Sequence, residues 1–247
     1  MNKRKLMLVA VSLCMVAILG FGGTLAYLTD TDNQVNTFTT GNVQLNLDET
    51  KVHKDEDPAS DTYGDYISDG VRTDEGQSYK VFPGNTILKD PKVTVLDGSE
   101  DAWVVVEINI SGTDLYKLFG VDGYNNIDIT TAVDGTPVFS GGLISETTEQ
   151  QTYNGLWGYG NAKFFLYQQE YKEHNAWRLW LFMKAPMAAN ASEYLFTSVQ
   201  IPDSWDNAEM TAFNNLTIDI KAYGIQADGF VDAYEAMATA FPTEAEF

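Results

Sequence analysis

Val43, Leu45 and Leu47 alternate with Gln44, Asn46 and Asp48. A period of two puts one face of a strand in a core and the other in water, so this is the first clear core strand. Val81–Pro83 reads as a short strand after it. Residues 92–96, with Val93 and Val95 in alternation, and residues 103–110, with Val104, Val106, Ile108 and Ile110 on one face, follow as strands. Pro83-Gly84 and Asp97-Gly98 are turn signals between them. Phe164–Tyr167 and Trp177–Met183 flank a polar run, Gln168–Asn175, in the manner of a hairpin, and Leu216, Ile218, Ile220 and Ala222 alternate with polar residues near the end. Many short strands separated by turns predict a mostly β chain: an antiparallel, jelly-roll-like β-sandwich.

Two short helices are expected beside the strands. Leu115, Leu118 and Phe119 share a helical face within 113–119. A second helix starts at Asp228 as N-cap and runs to Phe241, with Val231, Tyr234, Ala238 and Phe241 as its apolar stripe and Pro242 as its stop. The stripe reads as a lid packed on the sheet. Residues 48–78 are dense in Asp, Glu, Ser and Gly and read as a long acidic loop. No fixed-period repeat is present.

The first residues follow another pattern. Lys3, Arg4 and Lys5 precede a run without charge from Leu6 to Thr29, which has the form of an export signal. The run is long enough to cross a bilayer, for which about 20 apolar residues suffice, so a retained anchor is the alternative reading. Gly20, Gly22, Gly23 and Thr24 weaken a helix at its far end, and Thr24-Leu25-Ala26 places small residues as a signal peptidase requires. The expected cut lies between Ala26 and Tyr27, so the membrane is a partner only before cleavage. Residues 27–40 are polar and rich in Thr, with only Tyr27, Leu28, Val35 and Phe38 as apolar anchors. They read as an extended arm with no sheet of its own, ahead of a single sandwich domain over 41–247.

Composition narrows the chemistry. Residues 1–26 hold 3 of the 15 basic residues and none of the 35 acidic ones, which leaves 12 − 35 = −23 for the remainder. So acidic a chain disfavours nucleic acid and anionic membranes as partners. The one cysteine, Cys14, lies in the signal, so the mature chain has neither disulfides nor thiolate metal ligands. About 220 residues with 13 Tyr, 13 Phe and 5 Trp in the full chain suffice for a sizeable core.

The two histidines, His53 and His174, are far apart and do not form the His-Glu-x-x-His arrangement that sets two zinc ligands and a base on one helical face. Glu170 and His174 could share a helical face, but 170–174 reads first as a hairpin tip. No Gly-x-Ser-x-Gly elbow and no phosphate loop appears, and the glycines of 155–160 read as turn material. Carboxylate pairs are too abundant to single out a general acid and base, so no catalytic residue, metal ligand or cofactor is assigned. Calcium remains the ion left open, through oxygen-rich runs at Asp55-Glu56-Asp57 and Asp30-Thr31-Asp32-Asn33, although the twelve-residue EF-hand spacing is unmet.

Gly22-Gly23-Thr24-Leu25-Ala26-Tyr27-Leu28-Thr29-Asp30, followed by Asn36-Thr37-Phe38-Thr39-Thr40-Gly41-Asn42-Val43, resembles the start of TasA/camelysin-family proteins. Tyr79–Gly84, Lys89–Val95 and Lys221–Phe230 resemble segments of clostridial-type members of that group. The resemblance implies export from a Gram-positive cell, a signal cut by a dedicated SipW-type peptidase, a jelly-roll-like fold, and location at the cell surface or in the extracellular matrix. It also implies a biofilm fibre subunit that polymerises when the mature N-terminal segment of one copy, here Tyr27, Leu28, Val35 and Phe38, adds as a donor strand to the next. Its partners would be further copies, the signal peptidase and other matrix components. Camelysin itself implies a surface metalloendopeptidase as the alternative, and a monomeric adhesin or binding module is the third reading.

Overall fold

The computed structural model describes residues 29–32, 42–112, 138–143, 149–171, 176–213, 216–245 and 247. The signal, its cut at Ala26 and Tyr27, the arm residues Leu28, Val35 and Phe38, the helix expected over 113–119, and His174 lie outside them.

The described chain is mostly β and forms two seven-stranded sheets. The first takes β1 (Thr29–Asp32), β6 (Ala102–Ser111), β8 (Glu149–Tyr153), β9 (Leu156–Gly160), β10 (Phe164–Tyr171), β11 (Ala176–Met183) and β14 (Thr217–Gln226) in the order β1-β14-β6-β11-β10-β9-β8. The second takes β2 (Leu45–Lys54), β3 (Tyr66–Thr73), β4 (Thr86–Leu88), β5 (Lys92–Val95), β7 (Phe139–Ser140), β12 (Ser192–Tyr194) and β13 (Ser198–Gln200) in the order β12-β5-β2-β3-β4-β13-β7. Pairing is antiparallel, except that Tyr66 on β3 meets Ile87 on β4 in parallel.

The main core lies between the sheets. Val104, Val106, Ile108 and Ile110 of β6, with Leu179 and Leu181 of β11, face Leu45, Val93, Val95 and Val199 from the second sheet. The intervening residues of the first sheet are buried as well: Trp103, Val105, Trp180, Phe182, Tyr223 and Ile225 form a second cluster on its other face. Helix α2 (Ala233–Ala240) and the segment reaching Phe247 cover that face, with Ala233, Ala236 and Met237 buried against it. The Phe247 ring stands 5.1 Å from Phe182 and 5.4 Å from Trp180, edge to face. A strand buried on both faces loses its polar alternation, which is why β6 reads Trp-Val-Val-Val.

Several expectations need correction. The acidic loop over 48–78 contains the second half of β2 and all of β3, which pair as a long hairpin. Val81–Pro83 is not a strand, whereas Thr86–Leu88 is. Gly158 and Gly160 are strand residues of β9, and the turn before them is Asn154-Gly155, both with positive φ (49° and 84°), as a two-residue hairpin turn of the primed kind requires. α2 is capped by Asp232, whose side chain accepts from Glu235 N–H, and not by Asp228; Val231 precedes it and is 81% exposed. The helix does pack on the sheet as a lid: Ala233, Ala236 and Met237 are buried, Tyr234 and Phe241 of the expected stripe pack on the same cluster, and Ala238 is exposed. A helix that the sequence did not announce, α1 (Asn207–Phe213), follows Asp206, which bonds the N–H groups of Ala208 and Glu209. Finally, Thr29–Asp32 of the arm does have a sheet: it pairs with β14 of its own chain.

Candidate assembly edge

β14 is paired along all ten residues to β6, from Thr217 opposite Ser111 to Gln226 opposite Ala102. On its other side β1 covers only Ala222–Ile225, with Thr29 opposite Ile225 and Asp32 opposite Ala222. Burial follows that coverage. Ala222, Tyr223, Gly224 and Ile225 are buried, whereas Thr217 and Asp219 are exposed and Ile218, Ile220 and Lys221 lie between. Among the described residues no strand pairs with the outer edge of Thr217–Lys221. Backbone groups facing away from a sheet edge are a template for another strand.

Two clefts border this open stretch, and Asp219 and Ile220 line both. One, of about 550 Å³, runs between β14 and the β2–β3 hairpin and is lined by Leu47, Asp48, Glu49, Asp74, Glu75 and Lys89, among others. The other, of about 440 Å³, lies on the first sheet's outer face against Glu107, Arg178, Lys221, Tyr223 and Glu244. There the Tyr223 hydroxyl donates to Glu107 Oε2 at 2.9 Å, and Arg178 Nε lies 2.9 Å from Glu107 Oε1. Burial, followed by the Glu107 carboxylate beside it, pushes the Tyr223 phenol far above its ordinary range, so it stays a proton donor. Lys221 Nζ sits 4.6 Å from the centre of the Tyr223 ring.

The hairpin that walls the first cleft is held by polar side chains that stand in for strands. Thr50 N–H donates to Asp90 Oδ1 at 2.6 Å, Thr50 C=O accepts from Gln77 Nε2 at 2.9 Å, and Val52 N–H donates to Gln77 Oε1 at 2.8 Å. Gln77 thus pairs with β2 as a backbone peptide group would. Arg72 bonds Asp48 through Nε and Asp90 Oδ2 through Nη1, the latter at 2.8 Å. Ion pairs with this much hydrogen bonding fix geometry more than they add stability.

His53 Nδ1 lies 2.5 Å from Asp69 Oδ1 across the β2–β3 pair, on the exposed side. Asp55, in the oxygen-rich run at 55–57, is taken up within its own loop. It accepts from Thr62 Oγ1 at 2.7 Å and from Asp57 N–H at 3.0 Å. Hydrogen bonds from Ser60, Thr62 and the Asp57 backbone hold its carboxyl below the ordinary value of 3.8. Among the described residues no group of three or more His, Cys, Asp or Glu is placed to hold a metal ion. Nor is any described helix long and apolar enough to cross a membrane.

The family model described as camelysin metallo-endopeptidase matches residues 1–62. This supports the TasA/camelysin family. The matched stretch ends inside the β2–β3 connection, so it covers the segments read from the sequence as signal and arm, together with β1 and β2. β1 lies within the matched stretch, and β14, with which it pairs, lies outside it. No curated protein and no solved structure matches the chain.

Sequence reasoning named the arm but not the edge that receives it. The signal for the edge is the polar character of Thr217, Asp219 and Lys221, which alternate with Ile218 and Ile220 without a second apolar face. Charged residues on an edge strand are a usual guard against indiscriminate pairing.

Proposed function

We propose that this chain is an exported structural subunit of a biofilm or extracellular matrix fibre, in which the N-terminal arm of one copy pairs with the sheet edge of the next. The supporting observation is the four-residue pairing of β1 with β14 inside one chain. It favours an arm that forms strand and a β14 edge that accepts it. A segment that pairs within its own subunit can make the same hydrogen bonds to a neighbour's identical edge, so exchange leaves the pairing energy nearly unchanged and gains the contacts between copies. Signal removal after Ala26 would free Tyr27 and the arm to exchange. Further copies of the chain are the main partner in this reading, with a SipW-type signal peptidase acting once and other matrix components binding the finished fibre.

The deciding experiment compares protein beginning at Tyr27 with protein beginning near Gly41, by electron microscopy and light scattering. The longer form is expected to make filaments and the shorter to remain monomeric. Equal filament formation by both would exclude the arm as the linking element.

The camelysin match favours a second reading, a surface metalloendopeptidase. It predicts chelator-sensitive casein cleavage that is lost in His174→Ala. Cleavage no faster than a matched blank removes it.

A further inference from the structure

Lysine is seldom buried without a partner, because its ammonium loses hydration that the interior does not return. Lys89, directly after β4, is only 9% exposed, and its Nζ lies 2.6 Å from Oε2 of Glu49, itself 8% exposed. The other oxygen of that carboxylate accepts from Gln77 Nε2 at 3.0 Å. One buried carboxylate therefore holds a primary amine on one oxygen and a carboxamide on the other. Two further contacts suit the same three groups. Gln77 Oε1 receives the Val52 N–H at 2.8 Å, which polarises the amide carbonyl, and the Tyr79 ring lies 5.7 Å from Lys89 Nζ, closing one side with an apolar wall.

We propose that Lys89 and Gln77 are a self-modification site, joined by an amide bond between Lys89 Nζ and Gln77 Cδ with Glu49 as the proton carrier. Lys89 passes a proton to Glu49 along their hydrogen bond, and the neutral amine adds to Cδ. The nitrogen–carbon bond forms as the carbonyl pair moves onto Oε1, where the Val52 N–H holds the developing charge. Glu49 delivers its proton to Nε2 and takes one from Nζ. The carbonyl re-forms, the Cδ–Nε2 bond breaks, and ammonia leaves. Ammonia then takes the proton from Glu49 and departs as ammonium, which returns the carboxylate to its starting state. No oxidant, metal or nucleotide is consumed, and the oxidation state of every atom is unchanged. Fixing the amine and amide on one carboxylate supplies the proximity that this slow exchange lacks in water, and burial protects the product from hydrolysis. The product would tie the segment after β3 to the β4–β5 connection, across the part of β2 whose ladder is already completed by Gln77.

The test is the mass of the full exported chain, followed by a tryptic map. The expected result is a mass below the sequence value by one ammonia, with residues 73–80 joined to residues 81–92, since trypsin does not cut after an acylated Lys89. Glu49→Gln and Lys89→Met, each checked for native circular dichroism, should keep the full sequence mass. Ammonia loss that maps to another peptide, a full-mass protein yielding a free peptide 81–89 after prolonged incubation, or a linked peptide persisting in Glu49→Gln would each overturn the proposal.

Discussion

Gly224 offers the sharpest check on how the two sheets meet beneath the candidate edge. It sits in β14 opposite Asp30 of β1, and a Cβ placed on it would lie 2.8 Å from Val43 Cγ1 and 2.9 Å from Leu45 Cγ. Carbon atoms pack at about 3.5–4.0 Å, so Gly224→Ala needs a displacement of roughly 0.7 Å. The neighbours have little room to give, since Val43 is 1% and Leu45 4% exposed. Overpacking of this kind costs about 1–3 kcal/mol. The substitution also stiffens the unfolded chain, which returns about 0.4–1 kcal/mol. A net loss of about 1–2 kcal/mol remains, and in a domain of this size that lowers Tm by about 2–8 °C. Thermal unfolding followed by circular dichroism reads it directly. Leu45→Ala removes the clashing Cγ and everything beyond it, so the double variant should recover roughly 0.5 kcal/mol or more relative to the sum of the singles. An unchanged or raised Tm in Gly224→Ala, or strict additivity in the pair, would refute the close approach of β14 and β2.

Two further outcomes follow from local geometry. Asp232→Ala removes the α2 cap and the bond from Asn154 Nδ2 to Asp232 Oδ2 at 2.8 Å, so it should cost about 1 kcal/mol in denaturant unfolding and speed amide exchange at Glu235. The Asp55 carboxyl titrates lower in the folded loop than in the unfolded chain, so its contribution is present above the ordinary value of 3.8 and is lost as pH falls through the lower folded value. Amide exchange at Asp57 should therefore quicken in that acidic window, and Asp55→Asn should abolish the acid dependence.

The central strands were legible in the sequence because burial on one face writes a period of two: Leu45 and Leu47, Val93 and Val95, and Ile218, Ile220 and Ala222 all fall in strands where that pattern put them, whereas Val43 is buried just ahead of β2. β6 was legible through Val104, Val106, Ile108 and Ile110, although its burial on both faces was not. The β2–β3 hairpin was not, because its ladder is completed by the side chains of Gln77, Asp90 and Arg72, and these leave an acidic, loop-like composition behind. Helix α2 was legible as an element, and Tyr234 and Phe241 do pack on the sheet, but its most buried positions include Ala233 and Ala236, small residues that a search for large apolar side chains passes over. The arm could be read from its thinness in apolar residues, but its partner could not, since β1 meets Ala222–Ile225 by a long-range register that neither local pattern carries.

The unequal edges of the sandwich have a directional consequence. Among the described residues, the outermost strands of the second sheet are only three and two residues long, β12 and β7. The first sheet ends at β8, five residues long, on one side and at the four-residue β1, which leaves part of β14 uncovered, on the other. In a fibre of the kind proposed, hydrogen-bonded growth would use the first sheet, whose two described ends are chemically different. A contact between unlike ends does not close on itself as a symmetric dimer does; repeated, it gives a polymer with a head and a tail. Any thread built on this fold would be polar, lengthening at one tip by a different step from the other.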